Sequence, residues 1–213
     1  MAEYVTEEQQ VEAIKQFWKE NGSAIILGAV IGFGALFGWN YYKEQQQVKA
    51  EEASAQYASA VQSIVAGQTE HPEFEKKAEA LKSEYSETTY ASLAALKMAQ
   101  HYVEQNKLDQ AAEQLRWVVD QTNDTFEAVA NIRLARVLLE QDKYQETIAI
   151  VSNIKDEAYK STALLIKGEA LLGQQQVEQA KTAFVEARDA SENITNPLLA
   201  MRLSEFGLTK DIE

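Results

Sequence analysis

ASLAALKMAQHYVEQNKLDQAAEQLRWV, residues 91–118, decides how this chain folds. Its positions Ala99, Tyr102, Ala111, Leu115 and Val118 return at the same spacing as Ala135, Leu138, Thr147, Val151 and Ile154. They return once more as Gly168, Leu171, Ala180, Phe184 and Ala187, the rows being offset by 36 and then 33 residues. Each row reads as two amphipathic helices, with polar turns at Asn106–Lys107, Asp142–Lys143 and Gly173–Gln174. A small residue in the first helix lets the second sit close. The later Ala and bulky residue pack the second helix back on the first and on the next pair. A fixed period of this size means stacked hairpins, each covering the face its neighbour leaves open.

The order small, aromatic or large, Ala, Phe, Ala, at a period near 34, resembles the tetratricopeptide repeat. Leu138 and Leu171 replace the aromatic residue, Thr147 replaces the Ala, and no Pro closes the repeats. The expected fold is all-α: an N-terminal transmembrane helix followed by a tetratricopeptide-like helical solenoid. Three repeats should span 89–190, with a C-terminal capping helix in 191–213 beginning at Asn196–Pro197. A generic helical bundle is the alternative.

Upstream, Asn21 to Tyr42 holds 22 residues without a charge, closed by Trp39, Tyr41 and Tyr42. As a helix it extends about 33 Å, enough for the roughly 30 Å hydrocarbon core of a bilayer. A cleavable signal is disfavoured, because the leader has five acids against two lysines and no small-residue cleavage site precedes the aromatics. The domains read as a 1–22 cytoplasmic tail with a short amphipathic segment, a 23–42 transmembrane helix, and a 43–88 stalk with an N-terminal helical pair. Val11, Ile14, Phe17 and Trp18 form the amphipathic face, and Asn21–Gly22 reads as a break. Within the span, Gly28 with Gly32 and Gly34 with Gly38 form small-xxx-small pairs, candidates for close packing against another membrane helix. Beyond it, Ser54, Tyr57, Ala58, Val61, Ile64 and Val65 form an inward stripe and Gly67 a stop. His71–Pro72 then opens a helix with Phe74, Ala78 and Leu81 inward.

Net charge is −13, of which −3 lies up to Tyr42 and −10 beyond it. That argues against nucleic acid and against docking on an anionic membrane surface. There is no cysteine, hence no disulfide, thiolate chemistry or cysteine-held zinc. The histidines are His71 and His101 alone, and no metalloprotease, P-loop or nucleophile-elbow motif occurs. No catalytic, cofactor or metal residue is assigned, and an enzyme is not expected. Asn123-Asp124-Thr125 and Asn193-Ile194-Thr195 are formal glycosylation triplets.

A concave surface built from the first helix of each repeat is the candidate protein-binding groove. In the first repeat it takes Leu93, Leu96, Gln100 and Val103; in the second, Val129, Ile132, Arg136 and Leu139. The third contributes Thr162, Leu165, Glu169 and Leu172. This mainly aliphatic face suits an apolar or extended peptide. Equally, it can be filled from within, by the helix of residues 48 to 66 or by the cap.

QVEAIKQFWKENG (Gln10 to Gly22), GALFGW (Gly34 to Trp39), RLARV (Arg133 to Val137) and KGEALL (Lys167 to Leu172) together resemble the YfgM family of ancillary translocon subunits. That resemblance implies a single-pass protein of a Gram-negative bacterial inner membrane, N-terminus cytoplasmic and repeat domain periplasmic. Lysine counts on the two flanks tie, so orientation rests on the short leader and on the resemblance. The implied partners are the SecYEG translocon, the membrane-anchored periplasmic chaperone PpiD and client polypeptides. The implied role is a scaffold linking the translocon to chaperone activity on emerging chains. A structural or regulatory subunit that sequesters a partner without binding unfolded chains is the alternative.

Overall fold

The computed structural model describes residues 7–64, 70–121, 124–191 and 196–208, which form α-helices and, among the described residues, no strand. Val65 of the expected stripe, the helix stop at Gly67 and the sequon asparagines Asn123 and Asn193 lie outside them. The chain divides into two compact units, Met1–Lys49 and Ala50–Glu213.

Most of the first unit is helix α1, Glu7–Gln62, which continues into the second. Its apolar residues from Ile25 to Tyr42 are exposed all round, the pattern of a surface that faces lipid. By length and composition α1 can cross a membrane. The expected break at Asn21–Gly22 does not occur. Asn21 Nδ2 donates back to Phe17 O at 3.1 Å, and the Trp18 ring covers Gly22. One glycine inside a long helix costs about 1 kcal/mol, too little to interrupt it.

In the second unit, the end of α1 buries Ala53 and Ala60, with Tyr57 and Ile64 beside them. The inward stripe is therefore Ala53, Tyr57, Ala60 and Ile64, rotated from the one expected, and Ala58 is exposed. Two adjacent stripes of this helix are apolar, and the one with the small residues Ala53 and Ala60 is buried in a cluster with Phe74 and Ala78 of α2 (Pro72–Glu84). Lys77 of α2 fastens the pair by donating to Ser59 Oγ at 3.2 Å. Phe74, Ala78 and Leu81 are buried, as the sequence pattern predicts.

Three hairpins follow: α3 (Thr89–Glu104) with α4 (Leu108–Val119), α5 (Asp124–Glu140) with α6 (Tyr144–Ser152), and α7 (Glu157–Gly173) with α8 (Val177–Asp189). Each hairpin turns at one left-handed residue, Asn106, Asp142 or Gln175, with φ of 57°, 58° and 62°. These positions keep the 36 and 33 offsets of the sequence rows. After each, a backbone N–H reaches back to the first helix: Lys107 to Tyr102, Lys143 to Leu138, Gln176 to Leu171. Those bonds satisfy carbonyls the helix end would otherwise orphan.

Small row positions sit where helices touch. A Cβ on Gly168 would lie 2.3 Å from the Phe184 ring. Gly173, expected in the turn, lies inside α7 instead, and a Cβ there would meet the Tyr144 ring at 2.3 Å. Thr147 fills an alanine position fully buried, its hydroxyl satisfied by Lys143 O at 3.0 Å. Ile154 falls just past α6, which stops at Ser152.

Helix α9, Pro197–Glu205, is capped by Asn196, whose Oδ1 accepts from the N–H groups of Leu198 and Leu199. It ends as the first helices do, at left-handed Gly207, with Leu208 N–H returning to Leu203 O at 2.7 Å. Leu199 and Leu203 are buried, and the Phe206 ring stacks on Phe184 with centroids 6.0 Å apart.

Candidate protein-binding cleft

Helices α3, α4 and α5 line a cavity of about 700 Å³. Leu96, Ala99, Leu108, Leu115 and Val137 make its apolar floor. Gln100, Val103 and Glu104 from α3 stand on the rim with Arg133, Arg136 and Glu140 from α5. The next interval is closed instead: Ile132 and Ala135 of α5 pack with Val151 of α6 and Ala163 and Ile166 of α7 in one buried cluster.

Of the residues expected in the groove, the cleft gathers Leu96, Gln100, Val103 and Arg136. Leu96, Ile132 and Leu165 are buried, at 5%, 4% and 3% exposure, and belong mainly to the core. Leu93, Val129, Leu139, Thr162 and Leu172 are half-buried. Glu169 is taken by the cap: Arg202 of α9 donates Nε and Nη2 to its two carboxylate oxygens at 2.7 and 2.8 Å. This bond is the main reason the Arg202 guanidinium is held above its ordinary pKa, with Glu205 adding to it. The first two repeats thus leave an accessible hollow, while α9 leans on the third.

The second expected set, the glycines of α1, meets no other element among the described residues. Gly28, Gly32, Gly34 and Gly38 are all exposed along α1. None of the four has an atom within 4 Å of where a Cβ would lie. The close approach that Gly168 and Gly173 make to aromatic rings inside the repeat domain has no counterpart at Gly28, Gly32, Gly34 or Gly38. Among the described residues α1 is the one helix long and apolar enough to cross a membrane, so a membrane helix packed on these glycines would come from another chain.

Arg133, Glu104, Glu140, Asn106 and the floor residues from α4 were absent from the sequence-derived set. Arg133 and Glu140 carry a signal that would have found them, since they lie one turn before and after Arg136 on one helical face. Nothing in the sequence marks which interval between hairpins opens.

The charge around the cleft is settled locally on the α3 side. Gln100 accepts from Lys97 at 3.0 Å and donates to Glu104 at 2.8 Å. Behind it, His101 is buried against His71 and Phe74, with ring centroids 4.6 and 5.2 Å away. Burial chiefly lowers the His101 pKa. His71 and Lys97 lower it further, and Glu104, 3.3 Å from Nδ1, partly offsets them. Burial also pushes the neighbouring Tyr102 hydroxyl up to about 12, helped by Glu75.

A family model described as "Tetratricopeptide repeat-like domain" matches residues 15–207. A relative from Escherichia coli (strain K12), named "Ancillary SecYEG translocon subunit", is 36% identical over 85% of this chain and 86% of its own. The chain belongs to that family, YfgM. Relatives of the same name occur in Aggregatibacter actinomycetemcomitans and Haemophilus influenzae. They are 30% and 27% identical, each over 97% of this chain and 100% of its own. No solved structure matches the chain.

Proposed function

We propose that this protein is a single-pass inner-membrane adaptor of the SecYEG translocon. Its N-terminus is cytoplasmic and its repeat domain periplasmic, where it brings the chaperone PpiD to emerging chains. The observation that carries the reading is the pairing of two elements. One is an apolar helix exposed all round; the other is a repeat domain with a hollow over a buried apolar floor and the exposed Val103 on its rim. Relatives named as ancillary subunits of that translocon supply the partner. The anchor, through the pair Gly28 and Gly32 or the pair Gly34 and Gly38, contacts a translocon helix, and the domain contacts the chaperone. Two modest contacts on one chain reinforce each other through effective concentration, so neither has to be tight.

Site-specific photo-crosslinking in native membranes tests this. Probes at Gly28 and Gly34 should yield translocon adducts, and probes at the exposed Gln100 and Val103 should yield chaperone or client adducts. Protease added to spheroplasts should digest the domain beyond Tyr42. Protection of that domain reverses the topology, and an absence of translocon adducts from every anchor position overturns the reading.

A further inference from the structure

The chain has five arginines among 33 acidic residues, and three of them meet a carboxylate. Arg116 pairs with Glu146 at 2.5 Å, Arg188 with Asp189 at 2.9 Å, and Arg202 with Glu169 at 2.7 Å. Arg133 and Arg136 have no ion-pair partner among the described residues, and both line the cleft between α3 and α5. Both are exposed. In so acidic a protein, two guanidinium groups that form no ion pair, although Glu104 and Glu140 line the same apolar hollow, make a site with a definite chemical preference. We propose that this cleft binds a polypeptide segment presenting carboxylates next to a bulky apolar side chain. The carboxylates go to Arg133 and Arg136, and the apolar side chain enters between Leu96, Val103 and Val137.

Three features shape the ligand. A guanidinium offers a planar fork that takes a carboxylate bidentately, which an amide cannot match. Glu104 and Glu140 occupy equivalent positions of the two repeats, one turn past Gln100 and Arg136. Acids therefore sit at one end of the cleft and arginines toward the other, which fixes the direction in which an acidic segment lies. The lining residues of α3 run from Leu96 to Glu104, about 12 Å of helix axis, the length of about four extended residues. That is the reach of a short linear motif.

This site rests on the adaptor reading, and one experiment separates their failures. Full-length protein in nanodiscs is titrated against the fluorescent peptide amide Gly-Asp-Asp-Leu-Phe-Leu, and against the same peptide with both aspartates replaced by asparagine. Empty nanodiscs give the background. The acidic probe should bind at least about tenfold tighter than the amide probe, equivalent to about 1.4 kcal/mol, and its advantage should shrink with added salt. Arg133→Gln with Arg136→Gln should abolish that advantage, and Val103→Trp should exclude both probes, each variant keeping wild-type helix content. Equal binding of the two probes gives the cleft to a neutral apolar segment and overturns the proposal. So does an acidic preference that survives the arginine double variant, or failure of both probes to bind. Concentration-dependent self-association that Val103→Trp removes gives the cleft to a second copy, also against it. Translocon association of the same variants is measured in parallel. If it persists while the acidic preference is absent, only this inference falls; if it is absent from wild type while the preference holds, only the adaptor reading falls.

Discussion

Gly168→Ala should destabilise the repeat domain, against the ordinary rule for helices. In an unconstrained helix interior, alanine is better than glycine by about 1 kcal/mol. Here the new Cβ would meet three atoms of the Phe184 ring at 2.3, 2.6 and 2.8 Å. Carbon atoms pack at about 3.5–4.0 Å, so the overlap exceeds about 1 Å. Phe184 is fully buried and stacked on Phe206, so its ring has no empty space to swing into. Overpacking of this kind costs about 1–3 kcal/mol, and the rigid surroundings put this site at the upper end. Subtracting the helical gain leaves a net loss of about 2 kcal/mol. For a chain of this size that lowers the melting temperature by about 4–8 °C. The other repeats supply the control, because Ala99 faces the position of Leu115 and Ala135 that of Val151. Phe184→Leu combined with Gly168→Ala should recover part of the loss, giving a favourable coupling between the two sites. Denaturation followed by far-ultraviolet circular dichroism reads both effects. If Gly168→Ala melts at or above wild type, the close helix crossing at this row is wrong.

Other outcomes follow from the same packing. Arg202→Ala should loosen α9 at a cost of about 2 kcal/mol in thermal denaturation, because Glu169 is left half-buried without its counter-charge. Glu169→Ala should cost less, since Arg202 keeps Glu205, and trypsin should then cut after Arg202 faster. Exchanging residues 169 and 202 should restore part of the stability lost in Arg202→Ala. Asn196→Ala removes the cap of α9 and should cost about 1 kcal/mol in thermal denaturation. The His101 pKa is lowered in the folded state, so the unfolded chain binds more protons once pH drops below about 6.5. Stability from this group should therefore be complete above that pH and fall as acidification approaches the folded pKa. Glu104, facing Nδ1, softens the fall, and Lys97 and His71 sharpen it. His101→Phe should flatten the melting temperature between about pH 7 and 5.5, a window above most carboxylate titrations; an unchanged slope would remove His101 from the account.

The hairpins were legible because their information is repeated. A small residue, a large one and an alanine at fixed spacing recur at Ala99, Ala135 and Gly168, and each recurrence constrains the others. The turns confirm the register more sharply than the helices do, since Asn106, Asp142 and Gln175 share one backbone conformation although their side chains differ. Single-helix features were less secure. The stripe at the end of α1 was misread by one position, because Ser54, Ala58 and Val61 compete with Ala53 and Ala60 and periodicity alone does not rank two apolar faces. Asn21–Gly22 failed as a break because a local glycine is a small cost beside a long run of helix-forming residues.

The binding surface was the hardest to read, and the reason is geometric. Helix register says that Leu96, Ile132 and Leu165 point toward one side, but burial depends on how far apart neighbouring first helices stand. That distance is not written in the register of any single helix. α3 and α5 leave a cavity between them, whereas α5 and α7 bury Ile132 and Ala163 in a shared core. Arg133 and Arg136 of α5 line that cavity together with Glu104 and Glu140, and neither arginine is ion-paired among the described residues. Unequal packing of neighbouring hairpins thus breaks an aliphatic face that the register makes continuous, burying Ile132 and Leu165 and leaving Val103, Arg133 and Arg136 exposed beside a hollow.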